Sequence, residues 1–186
     1  MKKYPLTLVL GGAASGKSEF AEKLAGRLGR NIVYLATAVP AGSAAATREW
    51  KDKISRHRLR RPKSWRTELL NGRPLAGLIG HFRPEGILLD SLTLWVSRRF
   101  RKLPAADLES SLLLLIDHLR LKSPVIVVSD EVGLGLVPMT RPGRRFLETL
   151  GRINARISNE ADTVFFVVAG QSIRIKDRPM TAMCRK

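Results

Sequence analysis

The sequence predicts an α/β chain with a mostly parallel central sheet flanked by helices. Apolar runs of strand length recur along its 186 residues, at Leu6–Leu10, Ile32–Leu35, Ile87–Leu89, Val125–Val128 and Val164–Val168. They are continuous rather than alternating, as strands covered on both faces are. Helical patterns lie between them, the alternation that builds parallel sheets. Ligands of such sheets sit at the carboxyl ends of the strands, and the polar clusters of this chain fall there or in the loops that follow.

The first run leads into Gly11-Gly12-Ala13-Ala14-Ser15-Gly16-Lys17-Ser18, and a helical pattern follows from Glu19 to Leu28. Strand, glycine-rich turn and helix is the context that makes a G-x-x-x-x-G-K-[ST] match a phosphate loop. Gly11 and Gly16 let the backbone turn and aim its N–H groups inward, where they cradle phosphate oxygens. The helix adds its positive N-terminal end. Lys17 is placed to reach the β- and γ-phosphates, and the Ser18 hydroxyl to bind Mg²⁺. The expectation is a chain that binds a nucleoside triphosphate.

After Leu35 come Ala36-Thr37-Ala38 and a Gly/Ala/Ser/Pro-rich loop, Val39–Ala46. A polar, Arg-rich helix is expected from about Thr47 to Arg60, with Pro62 ending it. Lys63–Gly80 is poorly periodic, so residues 39–80 are expected to project from a single domain spanning 1–186. Ser111–Leu119 is apolar nearly all round and reads as a buried helix, where His118 is expected to be a partnered structural histidine rather than a ligand. Gly143–Glu160 puts Phe146, Leu150, Ile153 and Ile157 on one helical face. Ser172–Ile175 reads as an edge strand, and a loose polar tail follows.

Composition limits the function classes. Lys and Arg number 33 against 16 acids, a net charge of +17, which favours polyanionic partners. Aromatic residues are only 6%, too few for a base-stacking platform, and most of the charge reads as solvated surface. Nucleic acid stays as an alternative partner. The lone cysteine, Cys184, excludes an intramolecular disulfide. No apolar run approaches the length of a membrane span and no signal peptide is evident, so a cytoplasmic location is expected.

Two further sites stand out. Asp90 closes the run Ile87–Leu89, and Asp130-Glu131 follow Val125–Val128. A carboxylate at a strand end beside a phosphate loop can hold Mg²⁺, and periodicity does not say which strand lies beside the loop. His57 lies in Ser55-Arg56-His57-Arg58-Leu59-Arg60-Arg61. One reading is a solvated basic helix face with an incidental histidine. The other is a neutral imidazole among cations that attacks phosphorus, with arginines offsetting charge at the reacting centre.

Several pieces in order carry a family resemblance. They are Gly11–Ser18; Tyr34–Ala38; Lys53–Arg58 with Arg61-Pro62 and Trp65–Thr67; Leu88–Trp95; Asp130–Pro138; Gly151–Asn154; and Val167–Gly170. Together they resemble the bifunctional adenosylcobinamide kinase/adenosylcobinamide-phosphate guanylyltransferase family of cobalamin biosynthesis, over nearly the whole chain. The E-V-G-x-G-x-V-P and H-R-x-x-R-P-x-x-W segments discriminate more sharply than the phosphate loop. The resemblance implies a RecA-like P-loop NTPase fold and a homo-oligomer, with a trimer documented in the family. It implies two reactions with Mg²⁺: phosphorylation of adenosylcobinamide by GTP or ATP, then transfer of GMP from GTP through a histidine to give adenosylcobinamide-GDP. By resemblance the guanylylated histidine is His57. The nucleotide contacts fall on Gly11–Ser18, Ala36, Thr37, Ala38, Arg58, Leu59, Arg60, Arg61, Glu68 and Asp90, and the metal ligands on Ser18 and Asp90, without excluding Glu131. Alternatives are a single-activity P-loop kinase or a nucleic-acid-dependent NTPase. The chain departs from the family pattern at Ala14, Glu68, Arg98, Asp130 and Glu148.

Overall fold

The structure, a computed structural model, describes residues 3–37, 61–70 and 82–178. Its strands are β1 (Leu6–Gly11), β2 (Ile32–Ala36), β3 (Arg66–Leu69), β4 (Gly86–Asp90), β5 (Val125–Asp130), β6 (Thr163–Val168) and β7 (Gln171–Asp177). The helices among the described residues are α1 (Lys17–Gly26), α2 (Leu92–Ser97), α3 (Ala105–Arg120) and α4 (Arg141–Glu160). The strands form one sheet in the order β3-β2-β4-β5-β1-β6-β7. Every pairing is parallel except β6 with β7. The five apolar runs are all strands, and Ser172–Ile175 lies within the antiparallel edge strand β7.

Helices cover both faces of this sheet, which is why its central strands carry apolar side chains on both sides. On one face α1 sets Ala21 and Ala25 against Val9, Ile32, Leu88, Ile126 and Val128. Such small residues let the helix backbone approach the strands closely. On the other face α2, α3 and α4 bury Leu92, Leu108, Leu112, Ile116, Leu150 and Ile153 over Leu8, Leu35, Leu89 and Val127.

The structure differs from the sequence expectations in two places. The helix containing Ser111–Leu119 is one-sided rather than buried all round: Leu112, Ile116 and Leu119 are buried while Leu114 is 61% exposed. His118 lies on its exposed side and has the expected partner, its Nδ1 lying 2.7 Å from the Leu114 carbonyl oxygen. Residues 66–69 pair with β2 as an edge strand instead of projecting; residues 38–60 and 71–81 lie outside the described residues.

The topology opens a crevice at the carboxyl edge. After β1 the chain turns onto the α1 face, whereas after its neighbour β5 it turns onto the opposite face to form α4. Loops leaving adjacent strands towards opposite faces leave a gap between them, the usual ligand position in open α/β sheets.

Candidate active site

The phosphate loop is built by close packing at its start and backbone freedom at its end. A Cβ on Gly11 would lie 2.5 Å from both Ser15 Oγ and the Val167 carbonyl oxygen, so only glycine lets β1, β6 and the loop meet. Gly16 sits at φ +89°, in the left-handed region that glycine enters without strain. It caps α1, whose first residue is Lys17. The first-turn amides have no acceptor within the helix, and together with the helix dipole they form an anion site. Half-buried Ser18 belongs to that turn. Ser15 Oγ is buried without a hydrogen-bond partner among the described residues. Exposed Ala14 adopts φ +56°. The Gly170 amide donates to the Ser15 carbonyl over 3.0 Å, tying the loop to the β6–β7 turn.

Lys17 is held from two sides. Its Nζ donates to the Gly12 carbonyl oxygen at 3.1 Å and pairs with Asp130 Oδ1 at 2.5 Å. Asp130 is in turn fixed by its backbone. Thr93 Oγ1 accepts its N–H at 2.8 Å, and Asn154 Nδ2 donates to its carbonyl oxygen at 3.0 Å. Buried Asn154 also accepts the Ser129 hydroxyl at 2.7 Å. Two helices on the same sheet face, α2 through Thr93 and α4 through Asn154, therefore hold the end of β5 whose carboxylate pairs with the phosphate-loop lysine.

Strand order places the two rival acids. β5 lies beside β1, with Asp130 in register with Gly11. Asp90 ends β4 one strand further away, in register with Val128. Paired residues of parallel strands share a face, and Val128 packs on the α1 side, so Asp90 and Asp130 both emerge on that side. Asp90 is 9% exposed, and its Oδ2 accepts the Tyr34 hydroxyl at 2.7 Å. Burial, then the nearby Asp90 charge, pushes the Tyr34 hydroxyl well above the usual tyrosine range, partly opposed by Arg61. Tyr34 is therefore a neutral donor. Asp90 Oδ1 has no partner among the described residues.

The other sequence candidates spread along the carboxyl edge. Ala36 ends β2. Thr37 is buried and locked to the start of α2, its Oγ1 donating to the Ser91 carbonyl at 2.6 Å and accepting the Ser91 N–H at 3.1 Å. Arg61 lies with its guanidinium carbon 3.2 Å from the Tyr34 ring centroid and its Nε 3.2 Å from Glu22 Oε1 on α1. Glu68 lies on β3 and accepts Arg66 Nε at 2.6 Å. Ala38, His57, Arg58, Leu59 and Arg60 lie outside the described residues. Glu131 and Leu134, with Gly12, Ala13, Ala14, Ser15 and the 166–169 segment, line a cavity of about 320 Å³ at the crevice. Sequence reasoning gave no role to Tyr34, Thr93 or Asn154. Their signal is a polar side chain within or facing a buried strand, which needs a partner.

The sequence profile of the cobinamide kinase / cobinamide phosphate guanyltransferase family matches residues 7–175. The chain belongs to that family. It is 36% identical to the bifunctional adenosylcobalamin biosynthesis protein CobP of Pseudomonas aeruginosa, over 93% of this chain and 98% of that protein. It is 34% identical to the bifunctional adenosylcobalamin biosynthesis protein CobU of Salmonella typhimurium, over 92% and 99%. The CobU protein of Escherichia coli is 32% identical over 92% and 99%. Among solved structures, the flagellar accessory protein FlaH of Methanocaldococcus jannaschii superposes with a TM-score of 0.51 over 95% of this chain and 80% of that one, at 13% identity. That likeness concerns the fold alone, a mostly parallel α/β sheet flanked by helices. No helix among the described residues is long and apolar enough to cross a membrane.

Proposed function

We propose that this chain carries out both family reactions on one phosphate loop: phosphorylation of adenosylcobinamide, and guanylyl transfer from GTP to the phosphorylated product. The observation that carries the reading is the family match over residues 7–175, laid on a loop whose lysine is already aimed by Asp130.

In the first reaction the substrate hydroxyl oxygen attacks the γ-phosphorus and gives up its proton to solvent. The bond from γ-phosphorus to its bridging oxygen breaks, and the nucleoside diphosphate leaves. Loop N–H groups and the α1 N-terminus hold the phosphate oxygens, and Lys17 offsets charge on the transferred group. Asp130 restrains the lysine, so little side-chain freedom remains to be lost on binding. Ser18 and Asp90 Oδ1, which has no partner among the described residues, are hard oxygen donors that fit Mg²⁺, which when bound would offset charge on the β- and γ-phosphates. Tyr34 orients Asp90 for that role.

In the second reaction an imidazole nitrogen of His57 attacks the α-phosphorus of GTP, and pyrophosphate leaves. The substrate phosphate then attacks the same phosphorus, the phosphorus–nitrogen bond breaks, and His57 is regenerated. The test is incubation with Mg²⁺ and GTP labelled at the α-phosphate, followed by denaturation. Label that stays with the chain, survives base, leaves in acid and is absent from His57→Ala is the expected result. Labelling of His57→Ala at the wild-type rate refutes the covalent role. Substrate phosphorylation without pyrophosphate release would leave a kinase alone.

A further inference from the structure

The loop between β5 and α4 presents an apolar surface that the two reactions as described leave unused. Leu134, Leu136, Val137 and Met139 are 79%, 97%, 74% and 94% exposed, the highest values for large apolar side chains among the described residues. Isolated exposed apolar residues are ordinary, but a contiguous group is not.

The loop is pinned at both ends. The Glu131 N–H donates to the Gly11 carbonyl at 3.0 Å, and Glu131 Oε1 accepts the Gly133 N–H at 2.7 Å. At the far end Arg144 Nη1 donates to the Pro138 and Met139 carbonyls at 3.1 and 2.8 Å, and Thr140 caps α4. The backbone is thus held so that the apolar side chains stay out.

Position indicates what they meet. Leu134 and Glu131 line the crevice together with residues 12–15 of the phosphate loop. An acceptor whose oxygen reaches a phosphate held by Lys17 must lay the rest of its body across that lip. Resting on the function proposed above, we infer that Leu134, Leu136, Val137 and Met139 form the docking surface for the macrocycle of the corrinoid acceptor. The loop that brings Leu134 to the crevice also carries Leu136, Val137 and Met139 on its exposed side, so a large ring reaching out of the crevice meets apolar side chains to rest on. A small polar acceptor would leave them in water. The surface therefore acts as a specificity determinant for bulky macrocyclic acceptors.

The test compares wild type with Leu136→Ser/Met139→Ser. Both positions are exposed, and neither lines the crevice, so the fold and nucleotide site stay intact. The readouts are KM for adenosylcobinamide, KM for GTP, guanylylation of the chain by GTP alone, and sedimentation. The expected result is a rise of about tenfold or more in the corrinoid KM, as the loss of apolar cover from two large side chains implies. GTP KM, self-guanylylation and sedimentation are expected to match wild type. An unchanged corrinoid KM overturns the inference while leaving the function standing. A raised KM with a smaller sedimenting species also overturns it, because the loop is then an interface between copies of the chain. A wild-type protein that binds GTP but never phosphorylates adenosylcobinamide refutes the proposed function first, and the inference with it.

Discussion

Replacing Tyr34 by phenylalanine separates one hydrogen bond from everything around it. The ring stays, so the Arg61 guanidinium stacked at 3.2 Å keeps its platform. Only the hydroxyl that donates to Asp90 at 2.7 Å is removed. Tyr34 is 4% exposed and Asp90 9%, so water does not easily replace the lost donor. A hydrogen bond to a charged group contributes about 1.5–3 kcal/mol, and that is the expected loss of stability near neutral pH. The pH dependence supplies a second, independent number. The folded Tyr34 hydroxyl is pushed far above its ordinary value, chiefly by burial. In the unfolded chain it loses its proton near about pH 10. The contribution of this raised group is therefore fully present below pH ~10 and is lost as pH rises beyond it, at up to about 1.4 kcal/mol per pH unit. Tyr34→Phe has no such proton, so its deficit relative to wild type shrinks above pH ~10. Urea unfolding of both proteins at a series of pH values from 8 upward measures this, since all other titrating groups are shared. Equal midpoints at pH 8, or parallel pH profiles above 10, would refute the reasoning. If Asp90 holds Mg²⁺ as proposed, the variant also requires more Mg²⁺ for half-maximal activity.

Other substitutions probe the loop and its supports. Lys17→Met is expected to lower both kinase and guanylyltransferase rates by about a hundredfold or more, read as kcat for each reaction, because the charge on the transferred group then loses its cation. Asp130→Asn is expected to lower kcat with little change in GTP KM, because it releases the side chain it restrains without removing a loop donor. Asn154→Leu leaves the Asp130 carbonyl and the Ser129 hydroxyl without their partners. A loss of about 2–4 kcal/mol in urea unfolding is expected from two unsatisfied buried groups, together with a fall in kcat as Asp130 shifts. Gly11→Ala drives a Cβ to 2.5 Å from the Val167 carbonyl oxygen, and a destabilisation of about 1–3 kcal/mol with weakened GTP binding is expected from forced overpacking.

Much of the fold was legible because it depends on local pattern. Strands buried on both faces must be apolar at every position, so Leu6–Leu10 or Val125–Val128 announce themselves. The Arg66–Leu69 strand does not. Among the described residues it pairs on one side only, with β2, and its Arg-Thr-Glu-Leu sequence carries no apolar run. The short α2 was also missed, although its cap is readable: Ser91 Oγ accepts the Leu94 N–H. Ser111–Leu119 misled because a leucine run has apolar residues on every face, whereas only packing decides that Leu112 and Ile116 turn inward and Leu114 outward. The phosphate loop was readable because its chemistry lies in consecutive residues.

The sequence by itself determined the α/β class, the nucleotide loop with Lys17 and Ser18, the family, and a short list of acids and cations near the strand ends. Only the tertiary structure decided that β5 rather than β4 lies beside β1, so that Asp130 grips Lys17 while Asp90 is held by Tyr34. It also decided that Arg61 stacks on Tyr34 and pairs with Glu22, and that Asn154 and Thr93 hold Asp130 in place. The physical reason is range. Periodicity records which face of an element is buried, a property of residues close together in the chain. Strand order and buried hydrogen-bond partners join residues far apart in sequence, as Lys17 and Asp130 are, and no local pattern encodes which of several equivalent apolar strands will be the neighbour.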